Sequence, residues 1–251
     1  MAQRTLNVTR ANYGLDAPPV MQKYFIQGSM ATIIGLVALS YRGSRKGILS
    51  AIASSVGAFW LLTGLGFIFS GAMMIWSSRV GKMYARDRLL DKLYLRGDET
   101  VLDVGCGRGV LLIGAAKRLP HGRALGIDLW SQEDLSDNSR DATLSNARAE
   151  GVADRVQVFD GDMRKLPFDD GSIDVVVASL SIHNIYSREG RREAINEIVR
   201  VLKRDGKVAL MDLWHVDEYV EDLQAAGMQN VHMSGKSFWI FPYVRIATGN
   251  K

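Results

Sequence analysis

The sequence predicts an α/β protein with a doubly wound, mostly parallel sheet, preceded by an apolar helical hairpin. From residue 79 onward, short runs rich in β-branched residues alternate with helical patterns. Such alternation is typical of parallel sheets with right-handed crossovers. A glycine-rich loop directly follows the first of these runs, and two long apolar runs precede residue 79. These three observations define the predicted class.

The two apolar runs predict helices that associate with a membrane. Residues 24–41 and 47–78 contain 18 and 32 residues without a charge. As helices they would extend about 27 and 48 Å, whereas the hydrocarbon core of a bilayer is about 30 Å thick. We therefore predict membrane helices over about 24–41 and 47–78, within an N-terminal segment of residues 1–78, followed by a second domain of residues 79–251. Spanning the bilayer and dipping into one leaflet both stay open, and two buried core helices are the alternative.

The basic residues around the hairpin bear on its orientation. Its connection contains Arg42, Arg45 and Lys46, and other cations flank it on both sides. The positive-inside rule favours cytoplasmic placement of both groups, so they compete. We expect residues 79–251 to lie on the cytoplasmic side of the membrane.

Small residues at four-residue spacing predict close packing between the apolar helices. The two pairs are Ala51 with Ser55, and Gly66 with Ser70. Such spacing lets helices approach closely in lipid. Formation of homo-oligomers through the apolar helices is a further partner hypothesis.

Composition and charge exclude several classes of protein. Residues 1–97 contain 12 Lys/Arg and 3 Asp/Glu, whereas residues 98–251 contain 19 and 24. A basic, apolar segment joined to a mildly acidic domain favours a membrane surface over a nucleic acid. The single cysteine, Cys106, excludes an intramolecular disulfide and a zinc site built on several cysteines. The four histidines have no ligand spacing along a helix, so we expect no metal.

The elements of the second domain follow in order from the apolar pattern. The predicted strands cover residues 101–104, 124–127, 155–159, 173–178, 207–211, 229–233 and 238–247. The predicted helices cover residues 79–95, 110–119, a segment around 195–202 and residues 216–226. Because no helix separates the last two strands, we expect them to form an antiparallel pair.

Glycines and carboxylates follow the first three strands, at the sheet edge where doubly wound folds bind ligands. The loop Asp103-Val-Gly-Cys-Gly-Arg-Gly109 has the spacing G-x-G-x-G rather than the dinucleotide pattern G-x-G-x-x-G. Asp103 suits a cationic ligand better than a phosphate. Asp128, at the end of the second strand, is placed to accept hydrogen bonds from ribose hydroxyls. Asp162 could accept one from an exocyclic amine, and Met163 could pack on a base.

Four motifs carry a family resemblance: Val101-Leu-Asp-Val-Gly-Cys-Gly-Arg-Gly109, Gly126-Ile-Asp128, Gly161-Asp-Met-Arg-Lys-Leu-Pro-Phe168 and Val201-Leu-Lys-Arg-Asp-Gly-Lys207. In this order they resemble the motifs of class I S-adenosylmethionine-dependent methyltransferases, especially the branch with ubiquinone and menaquinone methyltransferases. The resemblance covers about residues 80–251. It implies a seven-stranded, Rossmann-like sheet of order 3-2-1-4-5-7-6 with an antiparallel last strand. The segment 202–206 departs from the usual L-K-P-G-G turn.

The resemblance also implies S-adenosylmethionine as methyl donor and S-adenosylhomocysteine as product, and we expect no metal. It implies contacts of the methionine part with Gly105 and Gly107, of the ribose with Asp128, and of the adenine with Leu129, Asp162 and Met163. We add Asp103, Cys106, Gly161 and Ser179 as further predicted cofactor-binding residues. We expect Cys106 to pack there rather than to act as a nucleophile.

Candidate catalytic groups follow the fourth and fifth strands, in residues 179–184 and 212–215. His183 is the first choice as a base or as a group that orients the acceptor, and a structural histidine is the alternative. His215 is the second choice and is also placed to cap the next helix. Tyr13 and Asp16 suggest a lid over the site.

These patterns predict an S-adenosylmethionine-dependent methyltransferase that acts at the membrane on a small, lipophilic molecule. Two alternatives stay open. The first is a membrane-tethered enzyme that methylates a soluble small molecule or a protein. The second is a protein that binds S-adenosylmethionine without catalysis. The partners we expect are the substrate and membrane lipids, without nucleic acid.

Overall fold

The structure, a computed structural model, describes residues 10–40 and 47–251. Helix α1 (Pro18–Ser40) runs antiparallel to helix α2 (Ile48–Trp76). Both are long and apolar enough to cross a membrane, and fewer than a fifth of the residues in their most apolar windows are buried. The predicted connection with Arg42, Arg45 and Lys46 lies outside the described residues.

Helix α2 ends at Trp76, but the helical backbone does not stop at the predicted domain boundary. It continues through a π-helical turn (Ser77–Gly81) into helix α3 (Lys82–Asp91), which packs on the second domain. The amphipathic helix predicted over 79–95 is therefore the last part of a helical rod from residue 48 to 91. This continuity joins the apolar hairpin directly to the domain.

Helices α1 and α2 pack along glycines spaced seven residues apart. Gly28 and Gly35 of α1 face Gly64 and Gly57 of α2. A Cβ on Gly64 would lie 2.3 Å from Thr32 Oγ1 and 2.7 Å from the Gly28 carbonyl oxygen, and a Cβ on Gly35 would lie 2.8 Å from the Gly57 carbonyl oxygen. The backbones therefore approach closely, as in glycine-mediated packing of membrane helices.

The small residues that were predicted to mediate close helix packing do not lie at this contact. The prediction of packing through these pairs was therefore wrong. A Cβ on Gly66 would have no atom within 4 Å, and Ala51 and Ser55 are exposed. Ser70 Oγ instead donates to the Gly66 carbonyl oxygen within its own helix, at 2.9 Å. A seven-residue repeat stays on one face of a long antiparallel helix pair, and here that face contains the glycines.

A seven-stranded sheet forms the second domain, in the order β3-β2-β1-β4-β5-β7-β6. Its strands are β1 (Thr100–Val104), β2 (Arg123–Asp128), β3 (Val156–Asp160), β4 (Ile173–Ser179), β5 (Leu202–Asp212), β6 (Gln229–Met233) and β7 (Arg245–Asn250). Strand β7 is antiparallel to both of its neighbours, and the other adjacent pairs are parallel. The predicted fold class and strand order are confirmed.

Helices cover both faces of this sheet. They are α4 (Val110–Ala116), α5 (Arg140–Ala149), α6 (Arg188–Val201) and α7 (Val216–Ala225). Helices α3, α4 and α5 bury apolar side chains on one face, and α6 and α7 bury them on the other. The strands therefore have apolar residues on both faces, as buried parallel strands require.

Two predicted elements differ from the structure, and one observed helix was not predicted. The last strand was expected over 238–247 but begins at Arg245, because the preceding residues form a loop that packs on α3 through Trp239. The segment 202–206, expected to be a turn, belongs to β5, where a bulge absorbs Asp205 at φ +66°. Helix α5 was not predicted, because it buries small and polar residues such as Thr143 and Asn146.

The glycine contact of the hairpin is testable with two matched substitutions in α2. Gly64→Ala should lower the thermal stability of the detergent-solubilised chain, because its methyl group meets Thr32 and the α1 backbone. Gly66→Ala should leave stability unchanged or raise it by up to about 1 kcal/mol, the helix-propensity gain of alanine. Thermal unfolding monitored by circular dichroism compares the two, and equal effects would contradict this packing.

Candidate active site

A cavity of about 710 Å³ lies at the carboxyl ends of the central strands. Every predicted cofactor-binding residue lines it, as does the predicted base His183. The lining residues that the sequence singled out are Asp103, Gly105, Cys106, Gly107, Asp128, Leu129, Gly161, Asp162, Met163, Ser179 and His183. The structure thus brings the predicted site residues together in one place, and their individual roles stay predictions.

The glycine-rich loop gives this cavity a floor of bare backbone. Gly105 and Gly107 have φ of +72° and +49°, in the left-handed region that favours glycine. A Cβ on Gly105 would lie 2.3 Å from Ser181 Cβ, whose hydroxyl donates to the Val104 carbonyl oxygen at 2.9 Å. A side chain at Gly105 would therefore clash with a fixed neighbour beside the cavity.

Asp128 is held rigidly at the end of β2. Its Oδ2 accepts from the Gly107 amide at 2.7 Å, and its Oδ1 accepts from the Trp130 amide at 2.6 Å and from Asn138 Nδ2 at 3.3 Å. These bonds tie the carboxylate to the glycine loop and to the segment after β2. A carboxylate oxygen can accept two hydrogen bonds, and Oδ2 accepts only the one from Gly107, so Asp128 retains capacity toward a ligand.

Asp103 and Cys106 are buried residues of the glycine-rich loop. Asp103 Oδ2 accepts from the Leu112 amide of α4 at 2.8 Å. Burial, reinforced by the charge of Asp128, raises the pKa of Asp103 to about 8, against the lowering effect of the Leu112 bond. Burial likewise raises the pKa of the Cys106 thiol, whose Sγ would lie 2.8 Å from a Cβ on Gly126. The thiol packs against β2 and has no ionised form poised for attack.

The segment after β3 forms another wall of the cavity, with Gly161, Asp162 and Met163. A hydrogen bond from the Arg164 guanidinium lowers the pKa of Asp162. Asp162 Oδ1 also accepts from the Arg164 amide at 2.9 Å. The carboxylate is therefore ionised at neutral pH and fixed in place, and any ligand donor shares it with Arg164.

His183 lies next to a buried carboxylate. Its Nδ1 contacts Asp212 Oδ1, and its amide donates to Asp212 Oδ2 at 3.1 Å. Tyr219 completes this group, because its hydroxyl donates to Asp212 Oδ2 at 3.1 Å. Burial raises the pKa of Tyr219, which keeps it a hydrogen-bond donor. The ring of Trp214 packs edge-on against the His183 imidazole, with 5.3 Å between centroids.

His215 is not brought into the site. It is the residue preceding α7, at φ +63°, and its Nδ1 lies 2.9 Å from Glu218 Oε1 and 3.4 Å from the Arg191 guanidinium. It takes part in a partly buried ion-pair group with Arg191 and Glu218 and does not line the cavity.

The N-terminal residues 10–17, here called the strap, close one side of the cavity. Tyr13, Asp16 and Ala17 line it, in agreement with the lid expected from Tyr13 and Asp16. The strap pairs with the loop after β2: the Ser136 amide donates to the Leu15 carbonyl oxygen at 3.1 Å, and the Ala17 amide donates to the Asp134 carbonyl oxygen at 2.9 Å.

Two buried cations that the sequence analysis did not assign hold the strap. Lys82 Nζ donates to the carbonyl oxygens of Tyr13 and Gly14 at 2.9 and 3.0 Å. Arg108 Nε donates to the Asn12 carbonyl oxygen at 2.8 Å. Arg108 could have been singled out from the sequence, because it lies inside the glycine-rich loop. Nothing in the sequence around Lys82 indicates its contact with the strap. Both residues line the cavity.

The arrangement suits a ligand with a flat ring, a sugar and a cationic end. Bare backbone lies at Gly105 and Gly107, fixed carboxylates at Asp128 and Asp162, and a buried carboxyl at Asp103. Within residues 10–40 and 47–251, no three His, Cys, Asp or Glu side chains lie together as a metal-binding group.

Comparisons with known proteins agree with this geometry. Residues 101–206 match a family model described as a methyltransferase domain. The chain is 31% identical to the demethylmenaquinone methyltransferase of Lactobacillus johnsonii over 128 residues. The matched region covers 51% of this chain and 49% of that protein. Over 170 residues it is 28% identical to the ubiquinone/menaquinone biosynthesis C-methyltransferase UbiE of a Ruegeria species, covering 68% and 59%.

The solved structures support the fold. A SAM-dependent methyltransferase from Aquifex aeolicus superposes with a TM-score of 0.54 at 18% identity, covering 67% of this chain and 90% of that one. At this identity the likeness shows the fold alone. The chain spans about half to three fifths of the length of the two curated relatives named above.

The buried Asp103 should make stability depend on pH. An unfolded aspartate has a pKa near 4, so between about pH 4 and 8 the folded chain binds the additional proton. Stability therefore falls as pH rises through this window. Asp103→Asn does not titrate and can still accept from Leu112, so its thermal midpoint should decline less between pH 5 and 8. Parallel pH profiles of parent and variant in thermal unfolding would contradict a raised pKa.

Proposed function

Because residues 101–206 match a methyltransferase domain, we propose that the chain is a class I S-adenosylmethionine-dependent methyltransferase and that it transfers the methyl group to a small, lipophilic acceptor at a membrane. The observation that carries this proposal is the single cavity into which the predicted cofactor residues and His183 converge. The strap over this cavity is bonded to the helix that leaves the apolar hairpin.

The residues present fit the cofactor. The backbone at Gly105 and Gly107 would lie against its methionine part, and Asp128 would accept from the ribose hydroxyls. Leu129, Asp162 and Met163 would contact the adenine. Asp103 would accept from the ammonium group, and a cation there would favour the ionised form of this carboxyl. When bound, S-adenosylmethionine supplies an electrophilic methyl group on a sulfonium.

The chain's own contribution is alignment and exclusion of water. Rigid placement of two reactants can contribute roughly 7–11 kcal/mol to lowering a barrier. The hydrogen bonds at Asp128 and the strap at Tyr13 and Asp16 would supply this rigidity, because both join segments distant in sequence. Leu180, Met211 and Leu213 give the other side of the cavity an apolar wall.

His183 would remove the proton that the acceptor loses. Because Asp212 contacts Nδ1 of the imidazole, Nε2 would be the atom that accepts the proton. The Asp212 carboxylate would then stabilise the imidazolium that forms. Tyr219 in turn fixes Asp212. The proton would thus end on His183 Nε2, in a pair whose carboxylate is already buried beside it.

The membrane part of the proposal rests on the hairpin. Exposed side chains of α1 and α2 are mostly large and apolar, among them Ile26, Ile33, Phe59, Leu62 and Phe69. Such a surface is unfavourable in water and is matched by lipid. Helix α1, with 23 residues, would extend about 34 Å, close to the thickness of a hydrocarbon core. The two quinone-related relatives also favour a lipophilic acceptor. We place the domain on the cytoplasmic side.

The direct test incubates the purified full-length protein with methyl-labelled S-adenosylmethionine and a total lipid extract. We expect label in the organic phase with the parent and its loss with Gly105→Ala, because the new methyl group meets Ser181 beside the cofactor. Gly235→Ala, at a position with no atom within 4 Å and no positive φ, is the matched control and should retain transfer.

The outcomes of this assay separate the candidates. Label confined to the aqueous phase would contradict a lipophilic acceptor and favour a membrane-tethered enzyme with a soluble substrate. Cofactor binding without transfer to lipids, soluble metabolites or protein would favour a protein that only binds S-adenosylmethionine.

The role of His183 is tested with His183→Gln. We expect turnover to fall about 10²–10⁴-fold, the usual contribution of a general base. The affinity for S-adenosylhomocysteine, measured by calorimetry, should stay unchanged. His215→Gln is the matched control, because His215 lies outside the cavity, and it should leave turnover near the parent value. Retained turnover in His183→Gln would mean that the acceptor needs no base from this residue.

A further inference from the structure

The loop between β6 and β7, residues 234–244, is pressed onto the end of the apolar hairpin. The ring of Trp239 stacks on Trp76, the last residue of α2, and on Tyr84 of α3, with centroids 6.1 and 4.6 Å apart. A Cβ on Gly81 would lie 1.7 Å from the Trp239 carbonyl oxygen, so only glycine admits this approach. The three rings therefore join the domain to the helix where it leaves the hairpin.

This contact leaves a row of apolar side chains uncovered. Phe238 is 68% exposed, Tyr84 54%, Val80 39% and Trp76 37%. With Trp239 we call these residues the aromatic patch. The patch continues the exposed apolar surface of α2, because Trp76 belongs to both. Tryptophan and tyrosine at the end of an apolar helix are typical of the membrane–water interface.

Cations adjoin the aromatic patch. Arg88 and Lys92 line a shallow groove together with Tyr84 and Trp239. Arg79 precedes Val80, and Lys236 is two residues before Phe238. Arg79, Arg88, Lys92 and Lys236 are exposed, and within the described ranges none has an acidic oxygen within 4.0 Å. Lys236 Nζ instead lies 4.2 Å from the centroid of the Tyr243 ring.

The acidic side chains nearest in sequence do not cancel this charge. Asp87 and Asp91 both pair with Arg118, at 3.2 and 2.8 Å. They therefore leave Arg88 and Lys92 uncompensated. The chemistry around the patch is that of a surface for anionic groups beside apolar chains.

We propose that the aromatic patch and these four cations dock the domain on a bilayer that contains anionic lipids. The occupant is the lipid surface because the patch is continuous with the apolar hairpin and its free charges are positive. Strand β6 is parallel to β5, so the loop that follows it lies at the same sheet edge as the cavity. Docking therefore turns that edge toward the lipid, where a lipophilic acceptor resides. This inference rests on the membrane attachment in the proposed function.

The test places an environment-sensitive fluorophore on the full-length chain in vesicles of phosphatidylcholine with phosphatidylglycerol. Phe238→Cys labels the patch, and Asp154→Cys, which precedes β3 at the opposite sheet edge, is the matched control. Cys106 is buried and stays unlabelled. We expect blue-shifted emission and quenching by brominated lipids for the label at 238, and neither for the label at 154.

Charge is tested separately with Arg88→Gln and Lys236→Gln in the Phe238→Cys chain. Each basic side chain near an anionic surface contributes enough to shift docking about fivefold. The docked fraction should fall with each substitution and in vesicles of phosphatidylcholine alone. If lipid quenching is the same with either substitution and in vesicles of phosphatidylcholine alone, the proposed contribution of the four cations to docking is overturned.

Resistance of the chain to carbonate extraction separates failure of this inference from failure of the proposed membrane attachment. A chain that resists extraction while its label at 238 stays in water overturns the docking surface alone. A chain that is extracted overturns both. A blue shift without lipid quenching would show burial by protein, such as a second copy of the chain, and would also overturn the inference.

Discussion

The ammonium group of Lys82 joins the two halves of this protein. It is 6% exposed, and besides its two carbonyl partners in the strap it lies 3.3 Å from Asp16 Oδ1. Burial lowers the pKa of Lys82, and Asp16 opposes this shift. Asp16 is 31% exposed, so its removal would leave a buried ammonium group with only the two carbonyl partners, and this uncompensated charge would destabilise the junction. The strap, the start of α1 and the end of the α2 rod are therefore held at one point.

The carboxyl ends of the parallel strands supply the residues of the cavity that the strap closes on one side. Parallel strands end side by side, so carboxylates that are distant in sequence come together without any long-range motif. Asp128 then links the second strand to the glycine loop through the Gly107 amide. The proposed acid–base pair, His183 and Asp212, follows the fourth and fifth strands, across the switch in strand order. The residues proposed to bind the methyl donor and those proposed to act on the acceptor thus follow different strands and line the same cavity.

Much of this could be predicted from sequence, and what could not has a physical reason. The strands are short apolar runs, and the glycines and carboxylates at their ends follow from local chemistry. The partnership of His183 with Asp212 was within reach, since both candidate segments had been identified at adjacent strand ends. The strap was visible only as Tyr13 and Asp16, because its bonds to Lys82 and Arg108 join residues about 70 and 100 positions apart. The loop around Trp239 reads as a strand because its aromatic residues favour one, and packing on Gly81 overrides that preference.

Amide hydrogen exchange of the full-length chain in lipid nanodiscs, with and without S-adenosylhomocysteine, tests the central claim most directly. If the strap and the glycine loop enclose the cofactor, exchange should slow on binding in residues 10–17 and 105–109, and in the segments after β2 and β3. Saturable binding that leaves residues 10–17 and 105–109 exchanging as before would contradict this account, as would the absence of binding.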